Sequence, residues 1–294
     1  MVKGFGMDFK GEDISTVVKK YIQKESYARE VIHNLTTGSY VREAPTNLED
    51  ITRIVYKKIW ENKPVELRVL WGGSRGPRKR VTGKADEITI QFLKNIEKKI
   101  GSAIEFEIFL CDTHHYLCNG ISDKNIFDYY WSMRKYKKDT ESIYKKSKYT
   151  LTVEKLSDFI EKRYLTPGIV EKEDNEARTK ARMLLQNEAY AQQVIQGTLK
   201  HSRWYKQFKA LKKFPKNFET YLAQLYVETE IEFLSELGVE RFNQSGEYQI
   251  KKSDNIIVSL SNPLIQKPIA EVANVPMLFF WSREGRHGEV PWYC

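Results

Sequence analysis

The chain of 294 residues is 41% hydrophobic and 13% aromatic, which is ordinary for a globular protein and predicts a folded, soluble one. Its formal net charge of +9 favours a polyanionic partner, and nucleic acid is the commonest polyanion in the cytoplasm. No segment approaches the roughly 18 consecutive apolar residues of a membrane helix, and no apolar signal segment follows Met1. We therefore expect a cytoplasmic protein with no membrane partner.

The predicted elements begin with two amphipathic helices, at residues 12–36 and 47–62. Asp13 or Ser15 can cap the first helix, and Asn47 can cap the second. These two helices precede the first predicted strand.

The hydrophobic period then changes from that of a helix to that of a strand. The segment VELRVLW at 65–71 predicts a strand, Lys84 to Ile100 has helical apolar spacing, and IEFEIFLCD at 104–112 predicts a second strand. This βαβ unit predicts a parallel sheet with a right-handed crossover.

Helical patterns dominate the rest of the chain until its last forty residues, at 122–138, 173–200 and 217–237, the last ending at Gly238 as a C-cap. Thr152 is a candidate N-cap in LTVEKLSDFI, which predicts a helix or a short strand leading into one. In the tail, NIIVSLS and VPMLFFWS are strand candidates separated by the proline-punctuated NPLIQKP.

No internal repeat or low-complexity linker divides the chain, so we predict one α/β domain over residues 1–294. Within it we expect a helical N-terminal extension over 1–64, a Rossmann-like core over 65–260, and a C-terminal strand and tail over 261–294.

Glycines and a serine follow the first predicted strand, in the segment WGGS. Ligands of open α/β sheets gather at the carboxyl ends of strands. Gly72 and Gly73 allow a substrate to approach the backbone, and Ser74 offers a hydroxyl nucleophile. The alternative is a phosphate-cradling or merely structural turn. Because the loop has neither the Gly-Lys-Ser/Thr ending of a P-loop nor GxSxG, neither an ATPase nor an α/β-hydrolase is supported.

The second predicted strand ends in Cys111-Asp112-Thr113-His114-His115, which invites a metal interpretation. Adjacent residues of a strand point to opposite faces, so the two histidines are poorly placed for one ion. The three cysteines of the chain form no even disulfide framework and no CxxC pair. We predict free thiols and no metal.

A basic, tyrosine-rich segment follows from Lys124 to Lys148. A solvated helix face is the usual fate of such a run. Between Arg134 and Lys148, however, only Asp139 and Glu141 offset the positive charges, which favours contact with a phosphate backbone.

The helix predicted at 217–237 carries Tyr226 and Glu230, four residues apart, on or beside the stripe formed by Leu222, Phe233 and Leu237. A carboxylate at the edge of a buried face needs a partner. An internal Lys or Arg would be a structural partner, whereas a substrate ammonium would be a functional one, with Tyr226 near enough to relay protons.

Taken in chain order, these features resemble the cyclodipeptide synthase family, whose fold is similar to the catalytic domain of class I tyrosyl-tRNA synthetases but which uses no ATP. The family's Gly-x-Ser at the end of the first strand is matched by Gly72-Gly73-Ser74, although Pro77 stands where an Asn is usual. The family's basic tRNA-binding helix is matched by the run from Lys124 to Lys148. LSDFIEK and YVETEIEFL are similar to later family segments, and Tyr248 is the candidate for a further family tyrosine.

The resemblance implies a transferase that takes two aminoacyl-tRNAs in turn and uses no cofactor. Ser74 would carry the aminoacyl group, Glu230 would hold the α-ammonium, and Tyr226 and Tyr248 would position substrate and move protons. Gly72, Gly73 and Asp112 would bind substrate at the strand ends. The tRNA would contact Arg78, Lys79, Arg80, Lys124, Arg134, Lys135, Lys137, Lys138, Lys145 and Lys146. A divergent branch that uses arginyl-tRNA is compatible with this pattern, and no residue identifies the amino acids.

Two other interpretations stay open. GPRKRVTGKADE, SLSNP and the closing VPWY resemble segments of isonitrile synthases of the pyoverdine and dityrosine type. In such an enzyme Arg78, Lys79, Arg80 and Lys84 would hold a pentose phosphate, an amino acid amine would be the nucleophile, and Ser74 would be dispensable. A non-catalytic RNA-binding protein would need only the basic, tyrosine-rich segment.

Overall fold

A six-stranded sheet with helices on both faces organises the part of the chain that the computed structural model describes. The described residues are 13–71, 84–101, 103–110, 152–155, 169–198, 217–242 and 245–281. None of the helices within these ranges is long and apolar enough to cross a bilayer.

The large sheet has the strand order β1-β8-β7-β2-β3-β4, and a separate two-stranded hairpin pairs β5 with β6. Every pair in the large sheet is parallel except β1 with β8. The strands are β1 Val41–Thr46, β2 Val65–Trp71, β3 Ile104–Leu110, β4 Thr152–Lys155, β5 Val239–Phe242, β6 Tyr248–Lys252, β7 Ile256–Ser259 and β8 Met277–Phe280.

Seven helices lie within the described residues and divide between the two faces of the sheet. Helices α1 to α3 contribute to the core on one face, and α4 to α7 to the core on the other. They are α1 Ile14–Thr37, α2 Leu48–Trp60, α3 Lys84–Ile100, α4 Ile169–Leu185, α5 Glu188–Thr198, α6 Phe218–Leu237 and α7 Pro263–Ala273.

The alternation of side chains along the central strands creates these two cores. In β2, Leu67 and Val69 enter the core under α1 to α3, whereas Leu70 enters the core under α4 to α7. All four residues of β7 and of β8 are buried, which is the pattern of parallel strands covered on both sides. The predicted Rossmann-like parallel sheet flanked by helices is therefore confirmed.

The parallel strands define a topological switch point between β2 and β7. From β2 the chain moves outward to β3 and β4, and then returns to the other side of β2 with β7 and β8. In open α/β sheets, ligands bind outside the carboxyl ends of the strands at this crevice. Strand β2 ends at Trp71 and β7 ends at Ser259, which lies opposite Leu70, so both strands end at this edge.

Four elements differ from the sequence prediction or extend it. Strand β1, Val41–Thr46, lies between the two predicted N-terminal helices, where no strand is predicted, because an edge strand with Pro45 has no strand-like apolar alternation. The hairpin of β5 and β6 follows α6, and neither of its strands is predicted from the sequence. Helix α7 occupies the proline-punctuated segment predicted to separate two strands: Pro263 stands at its start, where no intrahelical N–H bond is needed, and the Asn262 side chain accepts from the Leu264 N–H at 3.2 Å.

The second half of the chain also differs from the sequence prediction, in one helix cap and in the division of one predicted helix. Thr152 is the first residue of β4 and not a helix cap, so the short strand of the second alternative is confirmed, and the helix predicted after it lies outside the described residues. The helix predicted at 173–200 is two helices, α4 and α5, because the chain turns at Gln186 and Asn187 and the Asn187 side chain accepts from the Tyr190 N–H at 3.1 Å. The helix predicted at 122–138 lies outside the described residues.

Asp13 and Asn47 stand at the N-cap positions of α1 and α2 as predicted, whereas Ser15, the alternative cap of α1, lies within the helix; neither Asp13 nor Asn47 makes a capping hydrogen bond with its side chain. Gly238 does end α6, in a right-handed conformation. A Cβ at this glycine would lie 2.8 Å from Cγ1 of Val275, so close packing with the segment before β8 explains the glycine.

Candidate functional site

A buried polar cluster joins α6 to α7 beside the switch point. Helix α7 begins four residues after the end of β7, at the carboxyl edge of the sheet, and Gln266 lies near its start. Tyr226 and Glu230 lie one turn apart on α6 and face the same amide. The structure therefore brings together two residues that the sequence singles out and one that it does not.

The amide of Gln266 holds both partners. Its Nε2 donates to Oη of Tyr226 at 3.0 Å and to Oε2 of Glu230 at 3.3 Å. All three side chains are at most 4% exposed. In this orientation Oε1 of Gln266 has no hydrogen-bond partner within the part of the chain that the structure describes. A buried acceptor left without a donor is unfavourable, so this oxygen is a place where a ligand's N–H or O–H group would be stabilised.

Burial shapes the electrostatics of this cluster. Removal from water raises the pKa of Glu230 to about 7, and the hydrogen bond from Gln266 acts in the opposite direction. Glu230 can therefore carry a proton near neutral pH and lose it when a cation arrives. A carboxyl poised in this way, at the carboxyl edge of an α/β sheet, is typical of a site that binds an amine or transfers a proton.

Tyr190 of α5 links this cluster to the surrounding helices. Its hydroxyl donates to the carbonyl oxygen of Ile265 at 3.0 Å, next to Gln266. Burial raises the pKa of Tyr190, and the charge of Glu230 adds to the effect. Tyr190 therefore stays protonated and fixes the start of α7 against α5.

The turn from β7 into α7 is supported from the edge strand. Arg42 of β1 donates from Nη1 to the carbonyl oxygen of Ser261 at 2.8 Å, and its guanidinium lies 4.9 Å from the ring centroid of Trp281. The Ser261 N–H donates to Oγ of Ser259 at 3.1 Å. Strand β1 thus helps to position α7, and through α7 the amide of Gln266.

Most of the predicted site residues lie outside the described residues. This holds for Gly72, Gly73, Ser74 and Asp112, and for the whole predicted tRNA contact set: Arg78, Lys79, Arg80, Lys124, Arg134, Lys135, Lys137, Lys138, Lys145 and Lys146. Tyr248 is the first residue of β6, with its backbone opposite Phe242, and its side chain is not described. These roles stay predictions.

Gln266, Tyr190 and Arg42 contribute to the cluster or its support, and sequence reasoning selects none of them. A signal for Gln266 exists in NPLIQKPIA: if Asn262 is taken as a cap and Pro263 as the first helical residue, the glutamine lies between the apolar Ile265 and Ile269. A polar residue on the apolar part of a helix suggests a buried hydrogen bond. Arg42 carries no such signal.

Comparison with solved structures finds similar chains at low sequence identity. The PvcA protein from Pseudomonas aeruginosa matches with a TM-score of 0.52 and 13% identity, over 90% of this chain and 87% of that one. At this identity the similarity concerns the fold alone. No protein-family model and no curated protein matches the sequence.

Structural neighbours also include class I tRNA synthetases and cyclodipeptide synthases, at lower TM-scores. Tyrosyl-tRNA synthetase from Archaeoglobus fulgidus, complexed with L-tyrosine, gives 0.45 at 14% identity; the match covers 87% of this chain and only 64% of the synthetase. The cyclodipeptide synthase from Candidatus Glomeribacter gigasporarum, bound to Phe-tRNAPhe, gives 0.39 at 12% identity, over 79% of this chain and 92% of that one.

Proposed function

We propose that this chain is a tRNA-dependent cyclodipeptide synthase, an aminoacyltransferase that joins two aminoacyl groups into a diketopiperazine. The observation that carries the proposal is the buried carboxyl of Glu230, held with Tyr226 by Gln266 beside the carboxyl ends of β2 and β7. A carboxyl in this place suits the α-ammonium of an aminoacyl group. In the sequence, Ser74 stands three residues after Trp71, the last residue of β2.

The chemistry is a double transfer through an ester on Ser74. The serine hydroxyl attacks the ester carbonyl of the first aminoacyl-tRNA, the serine proton passes to the departing ribose oxygen, and the first tRNA leaves. The ammonium of the aminoacyl-enzyme then gives up a proton, and the free amine attacks the ester carbonyl of the second aminoacyl-tRNA. A further proton passes from the nitrogen to the departing ribose oxygen, so that the second tRNA leaves and a dipeptidyl-enzyme remains. Attack of the new terminal amine on the serine ester closes the ring and restores the hydroxyl.

The residues divide between this chemistry and the holding of substrate. Glu230 holds the α-ammonium, and Tyr226 and Tyr248 position the aminoacyl group and move protons. Gly72, Gly73 and Asp112 bind the aminoacyl group at the ends of β2 and β3. The basic residues that follow these two strands in the sequence hold tRNA phosphates.

Mass spectrometry of medium from cells that express the chain tests this proposal. We expect a cyclic dipeptide with the wild type and with Ser15→Ala, an exposed serine of α1, and none with Ser74→Ala. A diketopiperazine that persists in Ser74→Ala would contradict the serine-bound intermediate. RNA binding without any product would favour the non-catalytic interpretation.

A second candidate is an isonitrile synthase that acts on an amino acid and a pentose phosphate. The observation that favours it is the segment SLSNP, which forms the end of β7, the supported turn and the start of α7 at the switch point. The start of a helix at this edge suits a phosphate group. Purified protein supplied with tyrosine and a pentose phosphate would then form an isonitrile, and Ser74→Ala would form it equally well.

A further inference from the structure

We propose that Oε1 of Gln266 is a second acceptor for the ammonium group of the aminoacyl substrate, and that Gln266 thereby selects a primary amine over a hydroxyl. This inference rests on the proposed function, since it assumes that an aminoacyl group occupies the site of Glu230. It adds a specificity-determining residue on α7 to the pair on α6.

The hydrogen bonds of Gln266 leave one atom of the amide available. Both partners, Tyr226 and Glu230, are held by Nε2, at 3.0 and 3.3 Å. Oε1 has no partner among the described residues, although the side chain is only 2% exposed. Buried polar atoms are nearly always satisfied, so an unsatisfied carbonyl oxygen beside a buried carboxyl points to a donor that is present only when ligand is bound.

The amide is held firmly enough to discriminate between ligands. Ile265 and Ile269, on either side of Gln266 in α7, are buried in the core shared with α6. The Tyr190 hydroxyl holds the backbone of Ile265, and Arg42 holds the turn that precedes the helix. An amide fixed in this way does not readily turn to suit a poorer ligand.

The donor count of the ligand decides which group fits. An ammonium group carries three N–H donors and no acceptor, whereas a hydroxyl carries one donor. Glu230 and Oε1 of Gln266 together offer an ammonium two acceptors. A hydroxyl in the same place donates to only one of these two acceptors and leaves the other buried without a hydrogen-bond donor. A polar site rejects an analogue that lacks a donor in this way.

Paired ligands test this inference without tRNA. Ethyl esters of the L-amino acids are titrated into the full-length protein by calorimetry, and the tightest one is compared with the ethyl ester of its α-hydroxy acid. Gln266→Met keeps the side-chain length and removes the amide. We expect this substitution to weaken binding of the amino ester by about 10- to 100-fold, which is the range for a hydrogen bond to a charged group. Binding of the hydroxy ester should weaken by less than about threefold.

The same substitution at an exposed glutamine of α5, Gln193→Met, is the matched control and should bind both esters as the wild type does. Gln266→Asn keeps the amide but withdraws it by one methylene. It should fall between the wild type and Gln266→Met in its preference for the amino ester, and it provides the test if the methionine variant does not fold.

Each outcome separates this inference from the proposed function. Equal weakening of both esters would mean that Gln266 only supports the fold, and this would overturn the inference while diketopiperazine formation by the wild type left the synthase standing. Preference for the amino ester that depends on Gln266, in a protein that makes no diketopiperazine, would support the amine site and contradict the synthase. Failure of every ester to bind would overturn the inference.

Discussion

Two buried carboxyls on opposite faces of the sheet share one electrostatic property. Glu230 lies in the cluster with Gln266, whereas Glu97 of α3 accepts from the Phe106 N–H at 2.9 Å under the other helical layer. Burial raises the pKa of each to about 7, and for Glu97 the charge of Lys94 opposes the shift. The same shift thus arises at a candidate site and at a structural contact, so the pKa alone does not identify function.

Replacement of either carboxyl by an amide should remove part of the pH dependence of stability. Because each folded-state pKa of about 7 exceeds the ordinary value of 4.5, the folded state binds more protons between these values, and stability falls as pH rises through this window. The loss is on the order of 3 kcal/mol for each group. At about pH 8, Glu230→Gln and Glu97→Gln should therefore be more stable than the wild type, by an amount that shrinks toward pH 4.5.

Product formation should then separate the two variants. Denaturant unfolding between these pH values measures the stability change, and mass spectrometry measures the diketopiperazine. Glu97→Gln keeps the oxygen that accepts from Phe106 and should still make product. In the proposed function the negative charge of Glu230 holds the ammonium, so Glu230→Gln should make none. Product from Glu230→Gln at the wild-type level would contradict the assigned role of Glu230.

Among the elements, β1 depends on one buried hydroxyl for its junction with β8. Thr46 donates from Oγ1 to the carbonyl oxygen of Val275 at 2.9 Å and accepts from the Met277 N–H at 3.1 Å, at a place where the strand register is irregular. Thr46→Val keeps the shape and removes the side-chain hydrogen-bond partner of both backbone groups. We expect a loss of about 1–3 kcal/mol in the free energy of unfolding, measured in denaturant.

Thr46→Ser is the matched control, because it keeps the hydroxyl and removes one methyl group. Hydrogen exchange at the Met277 amide should quicken in the valine variant and change little in the serine variant. Equal stability of the two variants would show that the hydroxyl does not hold this edge of the sheet.

The elements also show where sequence patterns suffice. Strand β2 is predicted residue for residue at 65–71, because a short apolar run ends at Gly72 and needs no distant partner to be recognised. Strand β1 is missed because its pairing is decided by β8, more than two hundred residues away in the chain. Helix α7 is missed because its two prolines suggest a turn, whereas burial of Ile265 and Ile269 stabilises the helix in spite of Pro268.

The residues of the candidate site also divide into those that a local sequence pattern predicts and one that depends on a tertiary contact. Tyr226 and Glu230 are found because their spacing of four residues on one helix is a local pattern. Gln266 reaches them from 36 to 40 residues further along the chain, so the contact exists only in the folded molecule. Local spacing thus finds the residues of one helix, and tertiary packing supplies the amide that links them.

At the scale of the whole molecule, the net charge of +9 leads to a test of the proposed tRNA partner. Lysine contacts with phosphates release bound counterions, so the logarithm of the binding constant for aminoacyl-tRNA should fall linearly with the logarithm of the salt concentration. Simultaneous replacement of Lys135, Lys137 and Lys138 by alanine should weaken binding at low salt and reduce the slope by about 2 to 3, since each contact contributes roughly 0.7–0.9.

A control with the same change in net charge distinguishes local contacts from the overall field. Lys19, Lys98 and Lys172 are exposed and belong to α1, α3 and α4. Their joint replacement by alanine lowers the total charge equally, but it removes no proposed phosphate contact and should leave the slope unchanged. Filter binding across a salt series measures both variants. If the two triple variants lost the same slope, positive charge anywhere on the molecule would suffice, and the basic segment would not be the tRNA-binding surface.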